Sequence, residues 1–138
     1  MNKQKLLIAC FSIIAMICTF LPWIEEYGQL YYGRQMEGWI SLVLFGTTLV
    51  ICLGGNIKEP LEKKFKLGIY GTSGLATIIG LTKIIKGSPS IVKMIPDVFG
   101  LSFTYSWQIQ PGLYLMVALG ALIIFLSAFF NFTKEKDA

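Results

Sequence analysis

The chain has 138 residues, of which 54% are hydrophobic and only 14% are charged. A soluble domain carries about 25% charged residues, so this composition favours one membrane-embedded domain. The 12 basic and 8 acidic residues give a net charge of +4, and the chain contains no His. The basic residues lie at the ends of apolar runs, which is typical of membrane flanks and argues against a nucleic-acid partner.

The chain contains four long uncharged apolar runs. Because a helix needs about 20 apolar residues to cross a bilayer, each run predicts a transmembrane helix. The predicted spans cover residues 6–24, 39–57, 67–85 and 113–133, and the third run is uncharged up to Lys83. The sequence therefore predicts an all-α membrane protein, a four-helix bundle that forms one integral membrane domain over 1–138.

The distribution of Lys and Arg predicts how the chain crosses the membrane. With a cytoplasmic N-terminus, eight basic residues fall inside and four fall outside. The segment NIKEPLEKKFK, which contains the inner loop 58–66, holds four Lys in eleven residues. The positive-inside rule then predicts a multi-pass protein of the cytoplasmic (plasma) membrane with both termini cytoplasmic. Its outer loops cover 25–38 and 86–112.

The third run carries small residues at every fourth position: Gly68, Thr72, Ala76 and Gly80. Such a stripe lets two helix backbones approach closely in lipid. Intramolecular packing of the bundle is the favoured interpretation, and a homo-oligomer interface is the alternative.

Both outer loops contain features of a small sheet. The segment LSFTYSWQIQ, residues 101–110, alternates apolar and polar residues and predicts a β-strand. A lone strand needs a partner, which the first loop offers around Leu30, Tyr31 and Tyr32. We therefore expect an extracytoplasmic β-element of two or three strands.

Aromatic residues gather at the predicted outer boundary. Trp23, Trp39 and Trp107 are expected to be interfacial anchors with half-wet rings. Tyr and Arg are frequent in protein interfaces, and the free edge of a strand can pair with another chain. The candidate partner-binding residues are Tyr27, Tyr31, Tyr32, Arg34, Phe103, Tyr105 and Trp107.

The sequence offers little for catalysis or metal binding. A chain without His has no imidazole to activate a serine. Cys10, Cys18 and Cys52 lie in apolar runs without C-x-x-C spacing, so we expect no metal site and no cofactor. Lys83 lies close to the end of the third span and is expected to snorkel outward. The spans then carry no intramembrane ionisable residue, which argues against ion-coupled transport. We expect no catalytic residues and no enzyme activity.

Three short motifs carry a family resemblance. The motifs FLPWI at 20–24, GWISLVLFG at 38–46 and PGLYLMVALGALI at 111–123 resemble small, largely uncharacterised bacterial four-transmembrane-helix proteins. The resemblance implies a bacterial host and a four-span topology. In outline the predicted bundle with its β-element is also similar to claudins, but the Cys pair of their outer loop is absent.

Three functions remain open from the sequence. The favoured one is a non-enzymatic membrane interaction protein that binds an envelope partner through its outer loops, as an accessory subunit or an immunity-type protein. The alternative is a homo-oligomeric pore or membrane-disrupting effector that assembles through the stripe of Gly68, Thr72, Ala76 and Gly80. A weaker alternative is the binding of a lipid or a small apolar ligand between the helices.

Overall fold

The computed structural model describes residues 2–26, 28–35, 37–59, 61–87 and 107–129. These residues form a mostly helical protein with a small three-stranded sheet. The four α-helices are α1 (Lys3–Cys18), α2 (Gly38–Leu53), α3 (Lys63–Gly87) and α4 (Pro111–Phe129). The strands are β1 (Pro22–Glu26), β2 (Gln29–Tyr32) and β3 (Trp107–Ile109), and a 3-10 helix covers Gly33–Gln35.

The four helices pack in a ring in which each helix contacts two neighbours. Helix α1 packs against α2 and α4, and α3 closes the ring between α2 and α4. Neighbouring helices are antiparallel: Thr72 lies against Thr48 while Gly68, one turn earlier on α3, faces Ile51 further along α2. As a result the sheet occupies one end of the bundle, and the start of α1 occupies the other end.

The outer surface of the helices is apolar along much of its length. Large side chains with more than half of their surface exposed occur on α2, α3 and α4, and Ile17 is similarly exposed on α1. They include Val43, Val50, Leu67, Leu75, Ile78, Ile85, Phe125 and Phe129. Side chains of this kind are normally buried in a water-soluble bundle, where polar residues cover the outward faces.

Two helices in the described part of the chain are long and apolar enough to cross a membrane. They are α3 over Lys63–Ile85 and α4 over Pro111–Phe129. Helix α2 is apolar but has only 16 residues, or about 24 Å at 1.5 Å per residue. Helix α1 also has 16 residues and begins with two lysines, Lys3 and Lys5. Two spans are therefore supported by length and composition, against the four predicted from the sequence.

The helix boundaries differ from the predicted spans most clearly at α1. The predicted span ends at residue 24, but the helix ends at Cys18 and the chain enters β1 at Pro22. Proline lacks the amide hydrogen that a continuing helix needs. Before it, Thr19, Phe20 and Leu21 donate to carbonyl groups three residues back, as in a tightening final turn. The predicted fourth span reaches residue 133, and its last four residues lie outside the described part.

The sheet has the strand order β2-β1-β3, with both pairings antiparallel. Strands β1 and β2 pair with each other, and Gly28, just before β2, has φ +79°. Strand β3 pairs Ile109 with Ile24 and Trp107 with Glu26. The predicted small sheet is therefore confirmed, and β3 falls within the predicted strand 101–110, whose residues 101–106 lie outside the described part. The predicted pairing is wrong: β3 pairs with β1, at the end of the predicted first span, and not with the segment around Leu30, Tyr31 and Tyr32, which lies on the other side of β1.

Candidate functional site

The sheet is attached to the bundle through Trp23. The register of β1 and β2 shifts between Pro22 and Ile24, so Trp23 is the extra residue of a β-bulge. Such a bulge changes the direction of a side chain. The indole of Trp23 is fully buried, and its Nε1 donates to the carbonyl oxygen of Cys18 at 3.0 Å. It does not have the half-wet ring expected of an interfacial anchor, because it lies in a strand that turns it inward.

The other two tryptophans differ from Trp23. Trp39 is 59% exposed near the start of α2, as an anchor at a membrane boundary would be. Trp107 contributes its backbone to β3, opposite Glu26.

Three glycines allow close backbone packing around Trp23. A Cβ at Gly33 would collide with the indole ring of Trp23 and with the carbonyl oxygen of Thr19. A Cβ at Gly38 would collide with the backbone of Gly33, and one at Gly112 would lie 2.8 Å from the carbonyl oxygen of Pro22. The sheet, the 3-10 helix and the starts of α2 and α4 therefore form one tightly packed unit.

Polar contacts fix the same unit to the helices. The backbone N–H of Gln110 donates to the carbonyl oxygen of Trp23 at 2.8 Å, and its side chain donates to the carboxylate of Glu25 at 2.9 Å. Lys83, near the end of α3, forms an ion pair with Glu37 at 3.1 Å. Lys83 is only 17% exposed, while Glu37 lies just before α2 with φ +66°. This pair connects α3 to α2 at the sheet end.

Among the described residues, an exposed part of this end lies along β2, which is an edge strand of the three-stranded sheet. We call Leu30, Tyr32 and Arg34 the β2 edge surface; all three are exposed, Leu30 at 46% and Tyr32 at 38%. Tyr31 is half-buried, and it lies opposite Ile24. The side chain of Gln35 accepts a hydrogen bond from the N–H of Tyr32 at 3.1 Å, which occupies one backbone donor of this strand.

The structure brings together only some of the predicted partner-binding residues. Tyr31, Tyr32 and Arg34 lie on β2 and the following 3-10 helix, and the backbone of Trp107 lies two strands away across β1. Tyr27, Phe103 and Tyr105 lie outside the described residues.

The stripe on α3 faces inward. Its Gly68 faces Ile51 of α2, where a Cβ would lie 3.1 Å from the side chain, and Thr72 lies 2.6 Å from the hydroxyl of Thr48. Ala76 is fully buried. A Cβ at Gly80 would collide with Val117 and lie 2.9 Å from Met116, both on α4. The stripe is therefore occupied by contacts within the chain.

The opposite end of the bundle is fixed by the first turn of α1. Gln4 is buried, and its amide donates to the carbonyl oxygen of Leu126 at 3.1 Å, near the end of α4. Lys5 is also buried, and its ammonium donates to the carbonyl oxygens of Asn56 at 3.0 Å and Gly54 at 3.4 Å, just beyond α2. Each side chain supplies donors where a helix ends and its last carbonyl groups lack partners.

The contacts of Gln4, Lys5 and Gln110 were not predicted from the sequence. All three are polar residues at the edge of an apolar run, where a solvent-facing role is the ordinary expectation. For Gln110 the only signal was its position before Pro111, since proline is favoured at the first position of a helix and so marks where α4 begins.

Among the described residues, no three His, Cys, Asp or Glu side chains gather to form a metal site. The chain was also compared with models of protein families, with curated proteins and with solved structures, and none of the three comparisons found a match. The resemblance to bacterial four-span proteins stays a prediction. Function must therefore be inferred from the geometry of the chain.

Proposed function

We propose that this chain is a bacterial four-span protein of the cytoplasmic membrane that binds an envelope protein through its sheet end. In this proposal the sheet is extracytoplasmic, both termini are cytoplasmic, and the role is non-enzymatic. An accessory subunit and an immunity-type protein both fit such a role.

The apolar outer surface of the bundle supports embedding of all four helices. Because the helices form a closed ring, α1 and α2 share one lipid environment with the longer α3 and α4. The exposed side chains of Phe20 and Leu21 extend the apolar surface of α1 beyond its last helical residue. A short apolar helix is accommodated in a bilayer by local thinning, at a cost of a fraction of a kcal/mol per Å.

The distribution of charge supports the orientation. Five exposed or half-buried lysines lie at the end opposite the sheet: Lys3, Lys58, Lys63, Lys64 and Lys66. Among the residues whose side chains the structure describes, the cations at the sheet end are Arg34 and Lys83. Lys83 is paired with Glu37. Lysine-rich segments stay on the cytoplasmic side of a membrane.

The β2 edge surface carries the proposal of a protein partner. The exposed Tyr32 and Arg34 are of the residue types that dominate binding energy in protein interfaces, and the exposed Leu30 lies beside them. The outer edge of β2 can also accept a further strand, since a peptide that adds to a sheet edge gains backbone hydrogen bonds. The tight packing beneath the strand holds this surface in a fixed position, so that little ordering is needed on binding.

The homo-oligomeric pore has less support. It requires the stripe of Gly68, Thr72, Ala76 and Gly80 to face a second copy, and those residues contact α2 and α4 instead.

The test is native mass spectrometry of the full-length tagged chain, extracted from its host in lipid nanodiscs. We expect a complex with a second polypeptide at a fixed ratio. The complex should be lost in the Tyr32→Ala/Arg34→Ala variant, because both exposed contacts are removed. The matched control is Glu62→Ala/Lys64→Ala, which removes an exposed ion pair at the opposite end and should retain the partner.

Two outcomes contradict the proposal. One is a partner held equally by the Tyr32→Ala/Arg34→Ala variant. The other is a discrete homo-oligomer with no other chain, which would favour a pore.

A further inference from the structure

The end of the bundle opposite the sheet carries an excess of positive charge. Its described residues include six basic side chains and two acidic ones, Glu59 and Glu62. The basic side chains are Lys3, Lys5, Lys58, Lys63, Lys64 and Lys66. They come from the start of α1, from the segment after α2 and from the first turn of α3, which are distant in the sequence.

Hydrogen bonds hold these elements together. The backbone N–H of Asn2 donates to the carbonyl oxygen of Ile57 at 3.1 Å, and the ammonium of Lys5 donates to that of Asn56 at 3.0 Å. On the other side, a Cβ at Gly55 would lie 3.6 Å from the ring of Phe65 on α3. The segment 54–59 therefore connects the start of α1 to the start of α3.

Both acids at this end already have partners. Glu59 accepts a hydrogen bond from the side chain of Asn56 at 3.0 Å, and Glu62 lies 3.5 Å from Lys64. Within the described part of the chain, no acidic group lies within 4.0 Å of Lys3, Lys58 or Lys63, which are all exposed.

Exposed apolar side chains border the same lysines. Leu6 follows Lys3 by less than one helical turn, Ile57 precedes Lys58, and Leu67 lies one turn after Lys63. All three apolar side chains are exposed, Leu67 at 73%. The lysines and their neighbours thus form a cationic rim at the edge of an apolar surface.

We propose that Lys3, Lys58 and Lys63 form a docking surface for the headgroup of an anionic phospholipid. The phosphate of the headgroup meets the ammonium groups, while its acyl chains lie against the apolar surface that Leu6, Ile57 and Leu67 begin. Each lysine near an anionic membrane surface contributes about 1 kcal/mol of attraction. This inference rests on the membrane embedding in the proposed function, but it does not depend on the protein partner.

The test uses the full chain in nanodiscs made from equal amounts of phosphatidylglycerol and phosphatidylcholine, followed by native mass spectrometry of the retained lipids. Wild-type protein should retain phosphatidylglycerol in preference to phosphatidylcholine. The Lys58→Gln/Lys63→Gln variant should show this preference reduced by about fivefold for each charge removed. The Lys58→Arg/Lys63→Arg variant keeps both charges and should keep the preference. Arg34→Gln, which removes a cation from the opposite end, should also keep it.

The outcomes separate the two proposals. Protein that fails to enter the mixed nanodiscs contradicts the membrane embedding itself. Protein that enters them but retains the two lipids equally, or whose preference survives in the double Gln variant, contradicts only the lipid site. Inorganic phosphate, added against sodium chloride of equal ionic strength, should not displace phosphatidylglycerol; full displacement would indicate a free-phosphate site and overturn the assignment.

Discussion

The indole of Trp23 donates a hydrogen bond to the carbonyl oxygen of Cys18, the last residue of α1, at 3.0 Å. Both residues are buried. The terminal carbonyl groups of a helix lack partners within the helix, and a buried one without a hydrogen bond is costly. The β-bulge at Trp23 therefore completes the end of α1 and attaches the sheet to the bundle through the same side chain.

Replacing Trp23 with Phe should destabilise the protein. The change keeps an aromatic ring but removes the N–H, so the carbonyl of Cys18 loses one of its two donors and keeps the backbone N–H of Leu21 at 3.2 Å. Part of the indole volume also becomes a cavity. We expect the free energy of unfolding to fall by about 1–3 kcal/mol in denaturant titrations in mixed micelles. Trp39→Phe is the control, because Trp39 is 59% exposed and should change stability by less than about 0.5 kcal/mol. Equal effects of the two changes would contradict the role of Trp23.

Replacing Gly38 with Ala should separate α2 from the 3-10 helix. Its Cβ would collide with the backbone of Gly33, which cannot move as a flexible side chain could. We expect a loss of about 1–3 kcal/mol in the free energy of unfolding. The control is Gly74→Ala on α3, where a Cβ would meet nothing within 4 Å. At this position alanine reduces the backbone freedom of the unfolded chain, so the free energy of unfolding should rise by about 0.5–1 kcal/mol. A Gly38→Ala variant as stable as Gly74→Ala would show that the close approach is absent.

The hydroxyls of Thr48 and Thr72 should be coupled across α2 and α3. They lie 2.6 Å apart, and each also contacts a carbonyl of its own helix. A double-mutant cycle of Thr48→Val and Thr72→Val should give a coupling of about 0.6 kcal/mol, as for hydrogen bonds between membrane helices. The same cycle with Thr47, whose exposed hydroxyl bonds only to Val43, should give no coupling to Thr72. Equal coupling energies for Thr48/Thr72 and Thr47/Thr72 would contradict the contact between the hydroxyls of Thr48 and Thr72.

Replacing Lys5 with Met should weaken the end of α2. Met keeps an unbranched side chain but removes the ammonium that binds the carbonyl oxygens of Gly54 and Asn56. A cation at the end of a helix also interacts favourably with the helix dipole. We expect the free energy of unfolding to fall by about 1–2 kcal/mol. Lys3→Met, at an exposed position two residues away, should be close to neutral. A stable Lys5→Met variant would mean that the buried ammonium contributes nothing net.

The helices and the sheet were predictable because their signals are periodic or compositional. Uncharged runs identified the cores of all four helices, and the alternation in residues 101–110 identified the strand that contains β3. Helix ends were less predictable. Apolar residues continue past Cys18, so composition did not indicate that the chain leaves the helix there and forms β1.

Most of the contacts that build the site could not be predicted from the sequence. The β-bulge depends on the pairing of β1 with β2, and without that register Trp23 looks like any interfacial tryptophan. Lys5 resembles an ordinary membrane-flanking lysine until the end of α2 is placed beside it. The stripe on α3 was visible as a pattern, but its partners Ile51, Thr48 and Met116 follow only from the packing of three helices.

In the topology that we propose, the chain crosses the membrane four times with the sheet outside and the lysine-rich end inside. Labelling of single cysteines in intact cells with a membrane-impermeant maleimide tests this topology. The variants are Gln29→Cys on β2 and Lys58→Cys beyond α2, each made after Cys10, Cys18 and Cys52 have been changed to Ala. We predict that Gln29→Cys is labelled in intact cells and that Lys58→Cys is labelled only after permeabilisation. Labelling of both positions in intact cells, or of Lys58→Cys alone, would contradict this topology.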